Sequence, residues 1–357
     1  MVWPRTVLGT VTGVPEPSVS IIITNHNYAQ FLDAAIGSAL AQDGDGIDVE
    51  VIVVDDGSTD DSLEVIARYG DRVTTIATAN YGQGAAFNRG FAASSGAVVI
   101  FLDADDVLWK HTADRVVSRM NGDPGVVRVQ FPLDVIDRVG RPTGATVPEP
   151  PKVLFAGDAR PRLLTCPDDI VWQPTSGNAF RRDALDAVLP MPESPFRICA
   201  DYYLSSLVPL HGMVDALPDP GGGYRVHGSN AHFSRAETGD RLRANIRRTC
   251  DTHRYLIGEA QRLGLDHLPT DPAAVRSVTF AANRIISLRL DPEQHPIAGE
   301  TRWSLTRLGW SSARARNDVS RTRRLAFSAW FAAMAVVPRR LVHVVARPFA
   351  VLEDSAR

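Results

Sequence analysis

At 357 residues the chain has room for one large domain, or a domain with an appendage. Hydrophobic residues make up 44% and charged residues 22%, the balance of an ordinary folded globular protein rather than a disordered or fibrous one. A net charge of −3 removes any global electrostatic case for nucleic acid, and three scattered cysteines (Cys166, Cys199, Cys250) support neither a disulfide framework nor a zinc site and fit a reducing compartment.

In chain order, Arg5 and the short stretch Val7–Val14, broken by glycines and closed by Pro15, are too weak for a signal peptide, so residues 1–17 read as a loose leader. Val19–Thr24, Val49–Asp56, Val73–Thr78 and Ala97–Asp103 are apolar runs rich in β-branched residues and are predicted as buried strands. Between the first two, Phe31, Leu32, Ala35, Ile36, Ala39 and Leu40 recur at helical spacing within Gln30–Gln42. Ser58-Thr59-Asp60-Asp61 supplies cap chemistry for a helix through Leu63, Ile66 and Ala67, and Gln83–Ser94 is again of helix length. Strands alternating with helices predict an α/β fold, a parallel sheet flanked by helices with right-handed crossovers.

Ligands of such sheets gather at the carboxyl ends of the strands. Those ends carry Asn25-His26-Asn27, Asp55-Asp56, Asn80-Tyr81-Gly82 and Asp103-Ala104-Asp105-Asp106. The last is the most informative, because a buried strand that delivers clustered carboxylates cannot leave their charge unpaired. Either basic side chains neutralise them or a divalent cation does. Hard oxygen ligands in such small number suit Mg²⁺ or Mn²⁺ shared with a phosphate-bearing substrate.

The middle of the chain is less regular. Val126–Phe131 and Leu133–Ile136 read as strands, Asp137–Pro142 as a turn and Pro148–Pro151 as a loop or lid. Gly177–Phe180 is strand-like and enters a helix over Arg181–Leu189; Cys199–Leu210 is a helix with one acid, Asp201; Gly221-Gly222-Gly223 opens Tyr224–His227. After about residue 236 the pattern is helical, with Leu242, Ile246, Thr249, His253, Leu256 and Ile257 on one face. Between residues 302 and 347 ten arginines stand against one acid, Asp318, around the apolar run Leu325–Val337. That run is shorter than the roughly 20 residues that cross a bilayer. Two readings stay open: a helix lying in an anionic membrane interface, or an amphipathic helix packed on its own domain with arginines outward.

Val19–Asn27, Val53–Asp60, Asn80–Gly90 and Phe101–Asp106, in that order and spacing, resemble family 2 glycosyltransferases of the GT-A fold. The resemblance is close from 19 to about 110 and looser to about 232. It implies a GT-A, Rossmann-like, mostly parallel sheet over 18–235 (a nucleotide-binding half to about 110, an acceptor half from 111) and a helical C-terminal region over 236–357.

The resemblance also implies roles. Asp55 or Asp56 accepts the imide N–H of uracil or thymine, and His26, between Asn25 and Asn27, stacks on the base. Asn80 and Gly82 let the backbone approach the nucleotide or sugar. Phe87 stands where many relatives carry Arg, and Gln83, Asn88 or Arg89 would supply that contact. Asp105 ligates the cation, Asp103 meets ribose or the metal through water, and Asp106 caps a helix. His227 binds metal or diphosphate, and Arg225 pairs with phosphate. Asp201 is the base that deprotonates the acceptor hydroxyl; relatives commonly have two acids in tandem, and here Ala200 takes the first place. Gly177 and Asn178 lie on the acceptor side.

The expected activity is inverting, Mn²⁺- or Mg²⁺-dependent transfer from a UDP- or dTDP-sugar to a glycan or lipid-linked acceptor. The expected location is cytoplasmic, with peripheral contact at the inner membrane face through 302–350, and no nucleic-acid partner. Two alternatives remain. A sugar nucleotidyltransferase would open on a glycine-rich basic loop that Thr24–Tyr28 lacks. A non-catalytic nucleotide-sugar-binding protein would have no need of Asp201.

Overall fold

The computed structural model describes residues 18–42, 46–150, 152–167, 170, 173–228, 239–265, 268–316, 319–346 and 349. The leader over 1–17 and the expected boundary at 235/236 lie outside them.

The first third forms β1 (Ser18–Asn25), α1 (Ala29–Leu40), β2 (Asp48–Asp56), α2 (Ser62–Ala67), β3 (Thr74–Thr78), α3 (Gln83–Ala93) and β4 (Val98–Asp103). Successive strand residues point to opposite faces. Ile21, Ile23, Val51 and Val53 therefore join one core with Leu32, Ala35 and Ile36 of α1. Ile22, Ile52 and Val54 join a second with Ala86, Phe87 and Phe91 of α3. Apolar cover on both faces is why these strands read as unbroken hydrophobic runs.

Next come β5 (Val107–Leu108), α4 (Thr112–Gly122), β6 (Val126–Gln130), β7 (Leu133–Ile136), β8 (Pro142–Val147), α5 (Arg160–Leu163), β9 (Asn178–Arg181), α6 (Arg182–Asp186), α7 (Ala200–Leu207), β10 (Met213–Ala216) and β11 (Gly222–Arg225). The main sheet has seven strands in the order β10-β6-β9-β4-β1-β2-β3, and β5-β11-β7-β8 make a four-stranded sheet. β1 pairs in parallel with β2 and β4, and β2 with β3. β9 runs antiparallel between β4 and β6. The fold is thus α/β with a mostly parallel central sheet flanked by helices, as expected. The turn expected at 137–142 proves to be a hairpin whose second strand is β8.

Register places the chemistry. Asn25 lies opposite Asp55, Thr24 opposite Asp103, and Asp56 opposite Thr78, so the polar ends of the parallel strands share one edge.

The chain continues as α8 (Gly239–Arg262), α9 (Val278–Leu290), α10 (Arg302–Ala315) and α11 (Arg321–Val336). Ser277, Thr301 and Ser320 cap the last three, each cap worth about 1 kcal/mol. Leu256 and Ala260 of α8 sit in the sheet's second core, whereas Leu242 and Ile246 of the same helix pack on Phe280 of α9. The last three helices share a further core. The apolar run of α11 answers the question left open by the sequence: Phe327, Trp330, Phe331 and Met334 are buried against the chain's own Ile285, Leu305 and Ala313. At Gly309 of α10 a β-carbon would lie 2.5 Å from the Phe331 ring, so the two helices meet closely only because that position has no side chain. No helix among the described residues is long and apolar enough to cross a membrane.

Candidate active site

At the end of β2, Asp55 accepts hydrogen bonds from Asn25 Nδ2 (2.7 Å), Ser58 N (3.0 Å) and Ser58 Oγ (2.5 Å). Asp56 accepts from the backbone N–H groups of Tyr81 (2.8 Å) and Gly82 (2.7 Å). Asn27, in the left-handed region at φ 62, accepts from Thr59 N at 2.7 Å and donates its own N–H to Ser58 Oγ at 2.9 Å. These bonds fasten the loops after β1, β2 and β3 into one rim. His26 Nδ1 lies 2.8 Å from Asp56 O, an acceptor only, so that nitrogen carries the proton. Its Nε2 then accepts from Asn80 Nδ2 at 3.0 Å and Asn27 Nδ2 at 3.2 Å.

Gly82 precedes α3 with φ 97, and a β-carbon there would lie 2.6 Å from Arg197 Cα. Only glycine permits this approach. Arg197 closes the loop by donating to Tyr81 O and Asn80 Oδ1, both at 2.9 Å. Phe87 is fully buried and stacks on Phe101 at 4.2 Å, so position 87 belongs to the core. Asn88 places both ends of its amide on the Met191 backbone at 2.8 Å, and Arg89 lies over the Tyr81 ring at 4.7 Å. Of the candidates around position 87, only Gln83 reaches the acidic cluster.

That cluster is built on the end of β4. Asp106 is no helix cap, since α4 starts only at Thr112. Its buried carboxylate accepts from Arg225 N at 2.8 Å and Ser176 Oγ at 2.7 Å, and Ser176 Oγ in turn accepts from Asp103 N at 3.1 Å. Asp106 thereby locks β4 to β11 and to the turn before β9. Asp105 Oδ2 lies 3.0 Å from His227 Nε2, with the His227 side chain almost wholly buried between Phe31 at 4.7 Å and Tyr28 at 5.7 Å. Arg225 donates Nε to Asp105 O (2.6 Å) and Nη1 to Arg138 O (3.2 Å), and its guanidinium rests over Phe31 at 5.0 Å.

Gln83 ties the cluster to α7. Its Nε2 is 3.3 Å from Asp103 Oδ1, and its Oε1 accepts from Ala200 N at 3.0 Å, at the first turn of α7. The preceding Cys199 adopts φ 58, a left-handed backbone that costs on the order of 1–3 kcal/mol for a non-glycine residue. It delivers Asp201 on the first turn of α7, close enough for its charge to act on Asp103.

Burial, with the Asp105 and Asp201 carboxylates, pushes Asp103 up to about 8. Burial, Asp105 and Asp103 hold Asp106 well above the usual carboxylate range. Burial and Asp105 push the Tyr28 phenol up to about 12. Each shift records an excess of negative charge at low dielectric. The donor set beside it, one carboxylate oxygen and one imidazole nitrogen, suits a borderline-hard cation such as Mn²⁺. No trio of His, Cys, Asp and Glu side chains among the described residues forms a metal-binding group. Asp105 and His227 are the described side chains at the end of β4 whose donor atoms could hold a cation.

Gly177 and Asn178 are interior. A β-carbon at Gly177 would meet Gln173 Cβ at 2.9 Å. Asn178 Nδ2 donates to Pro174 O at 2.6 Å, and its Oδ1 accepts from Arg128 Nε at 3.0 Å and Nη2 at 2.5 Å. Sequence reading gave no role to Arg128, a fully buried cation in the middle of β6 that also bonds Ser205 O of α7 at 3.5 Å. Burial lowers it to about 9, and Asp201 works in the opposite direction. Tyr28 and Arg197 are further site residues to which no role was given. Arginine inside an otherwise apolar strand was the one available signal.

Comparison with known proteins agrees with this geometry. The family model for Glycosyl transferase family 2 matches residues 20–189. An uncharacterised glycosyltransferase of Nostoc sp. is 37% identical over 251 residues, which is 69% of this chain and 76% of that protein. The succinoglycan biosynthesis protein ExoO of Rhizobium meliloti is 37% identical over 127 residues, 35% of this chain and 36% of that one. The crystal structure of S. aureus TarS 1–349 in complex with UDP-GlcNAc superimposes with a TM-score of 0.55 at 16% identity, covering 94% of this chain and 92% of that chain; at that identity the likeness is one of fold. The fold is that of GT-A glycosyltransferases. The chain belongs to glycosyltransferase family 2.

Proposed function

We propose that this enzyme is an inverting, divalent-cation-dependent glycosyltransferase. It moves a sugar from a UDP- or dTDP-sugar to a hydroxyl of a lipid-linked or cell-surface glycan precursor, at the cytoplasmic face of a membrane. The observation that carries the reading is the convergence of Asp103, Asp105 and Asp201, with Gln83 bonded to both the strand that bears the first and the helix that bears the last. ExoO, a relative over part of the chain, is named for polysaccharide biosynthesis. TarS has been crystallised with UDP-GlcNAc and with UDP. Both support the substrate class.

In this reading the rim of Asp55, Asp56 and His26 receives the base. Asp105 and His227 would hold the cation, whose chemistry is to offset charge on the departing diphosphate. Asp103 meets the ribose side, and Gln83 keeps its carboxylate in register with α7. Asp201 takes the proton from the acceptor hydroxyl as that oxygen attacks the anomeric carbon opposite the leaving group. The left-handed Cys199 and the bond from Ala200 N fix where that carboxylate stands.

The test is a panel of nucleotide sugars with Mn²⁺ or Mg²⁺, read by diphosphate release. Turnover should stop on chelation and return with the cation; turnover that survives chelation refutes the metal assignment. Asp201→Asn should bind donor normally, read by thermal shift, yet lose on the order of 10²–10⁴-fold in turnover. Retained transfer would move the base elsewhere.

A further inference from the structure

Helix α10 divides into two faces. Leu305, Gly309, Ser312 and Ala313 are buried against α9 and α11. Trp303, Arg307, Trp310 and Arg314 are spaced four, three and four residues apart. At about 100° per residue this puts them within roughly 60° of arc on the opposite face. All are exposed; for an indole the values are unusual, 51% at Trp303 and 39% at Trp310.

The second half of this face meets the start of α11. Trp310, Arg314, Arg321, Arg324, Leu325 and Ser328 line an open cleft of about 500 Å³. Trp310 Nε1 donates to Ser328 O at 2.9 Å, which satisfies the indole's one polar atom inside the protein and leaves its ring as an apolar surface. Leu325 beside it is 69% exposed.

The charge here is one-sided. Elsewhere in the helical region four arginines have acidic partners: Arg243 with Asp240 and Asp291, Arg254 with Asp251, Arg262 with Glu259, Arg284 with Glu300. Among the described residues Arg307, Arg314, Arg321 and Arg324 pair with no carboxylate. Unneutralised arginines around exposed tryptophan and leucine are the chemistry of an interfacial surface. Indole rings favour the headgroup layer, and arginines carry their charge to phosphate while their stems cover apolar area.

We infer that this face of α10 and the first turn of α11 seat the enzyme on an anionic lipid bilayer. Trp303, Trp310 and Leu325 enter the headgroup layer, and Arg307, Arg314, Arg321 and Arg324 meet lipid phosphates. This surface lies within the 302–350 stretch that the sequence suggested, but it uses the exposed face of α10 and the start of α11 rather than the apolar side of α11, which is part of the chain's own core. A nucleic acid would satisfy the arginines equally but gives Leu325 no dry contact, so the bilayer is favoured. The assignment does not depend on the proposed transfer reaction.

The test is sedimentation of the full chain with phosphatidylcholine vesicles, with and without phosphatidylglycerol. Binding should need the anionic lipid and weaken in high salt. A triple variant, Arg314→Gln, Arg321→Gln and Arg324→Gln, should bind on the order of 100-fold more weakly while keeping its Tm and diphosphate release. Should that variant fold poorly, tryptophan fluorescence of the unaltered protein decides: anionic vesicles with brominated acyl chains should quench it. No sedimentation, equal binding by the triple variant, absence of quenching, or preferential binding to a nucleic-acid oligomer at the same salt would each overturn the inference.

Discussion

Two pairs of acids end parallel strands that flank β1 in one sheet, and they behave differently. Asp55 and Asp56 at the end of β2 are surrounded by donors from Asn25, Ser58, Tyr81 and Gly82. They work as fasteners. Asp103 and Asp105 at the end of β4 face each other, Asp106 and Asp201, and burial with this mutual repulsion drives protons onto Asp103 and Asp106. A carboxylate at a strand end is therefore not one thing: its donors and charged neighbours decide how far its charge is offset.

This contrast can be broken by substitution. Asp105→Ala should have the largest effect, lowering turnover by at least about 1000-fold through lost transition-state charge stabilisation. Its Tm should nevertheless hold, because a repulsive charge beside Asp103 and Asp106 is removed; a large fall in Tm would erase the distinction between the two strand ends. Asp55→Ala should lower stability as well as donor binding. It leaves the Ser58 N–H without its acceptor and buried Asn25 with only Ser58 Oγ, and should cost about 1–3 kcal/mol by denaturant unfolding. Gly82→Ala comes next: strain at a positive φ and contact with Arg197 should raise the donor KM and cost on the order of 1–3 kcal/mol, whereas an unchanged KM would mean the rim does not shape the donor site. Smallest is Asp33→Ala, which removes an exposed pair with Arg68 and should change stability by no more than about 0.5 kcal/mol.

Much of the nucleotide half was legible because local pattern and register agree. Apolar runs covered on both faces gave the parallel strands, and their shared edge followed from topology. The acceptor half was less so. β9 enters antiparallel between β4 and β6 through pairing that no local period encodes. Asn88, Asn178 and Arg225 occupy motif positions, yet the structure places their polar atoms on Met191, Pro174, Arg128, Asp105 and Arg138. A motif says where a residue lies along the chain but not which partner completes its hydrogen bonds. Arg128 was missed for the same reason. Similarly, the spacing of Phe327, Trp330, Phe331 and Met334 gives a helix with an apolar side but cannot tell whether protein or lipid covers it.

The long helix α8 has a practical corollary for anyone dividing this chain. Its later turns plug the catalytic sheet through Leu256 and Ala260, while its earlier turns cradle Phe280. A cut near residue 235, where the sequence suggests a seam, would uncork the enzyme's own interior. A fragment that keeps these contacts must run through Arg262, so the helix that closes the sheet's second core is also the first helix of the C-terminal region.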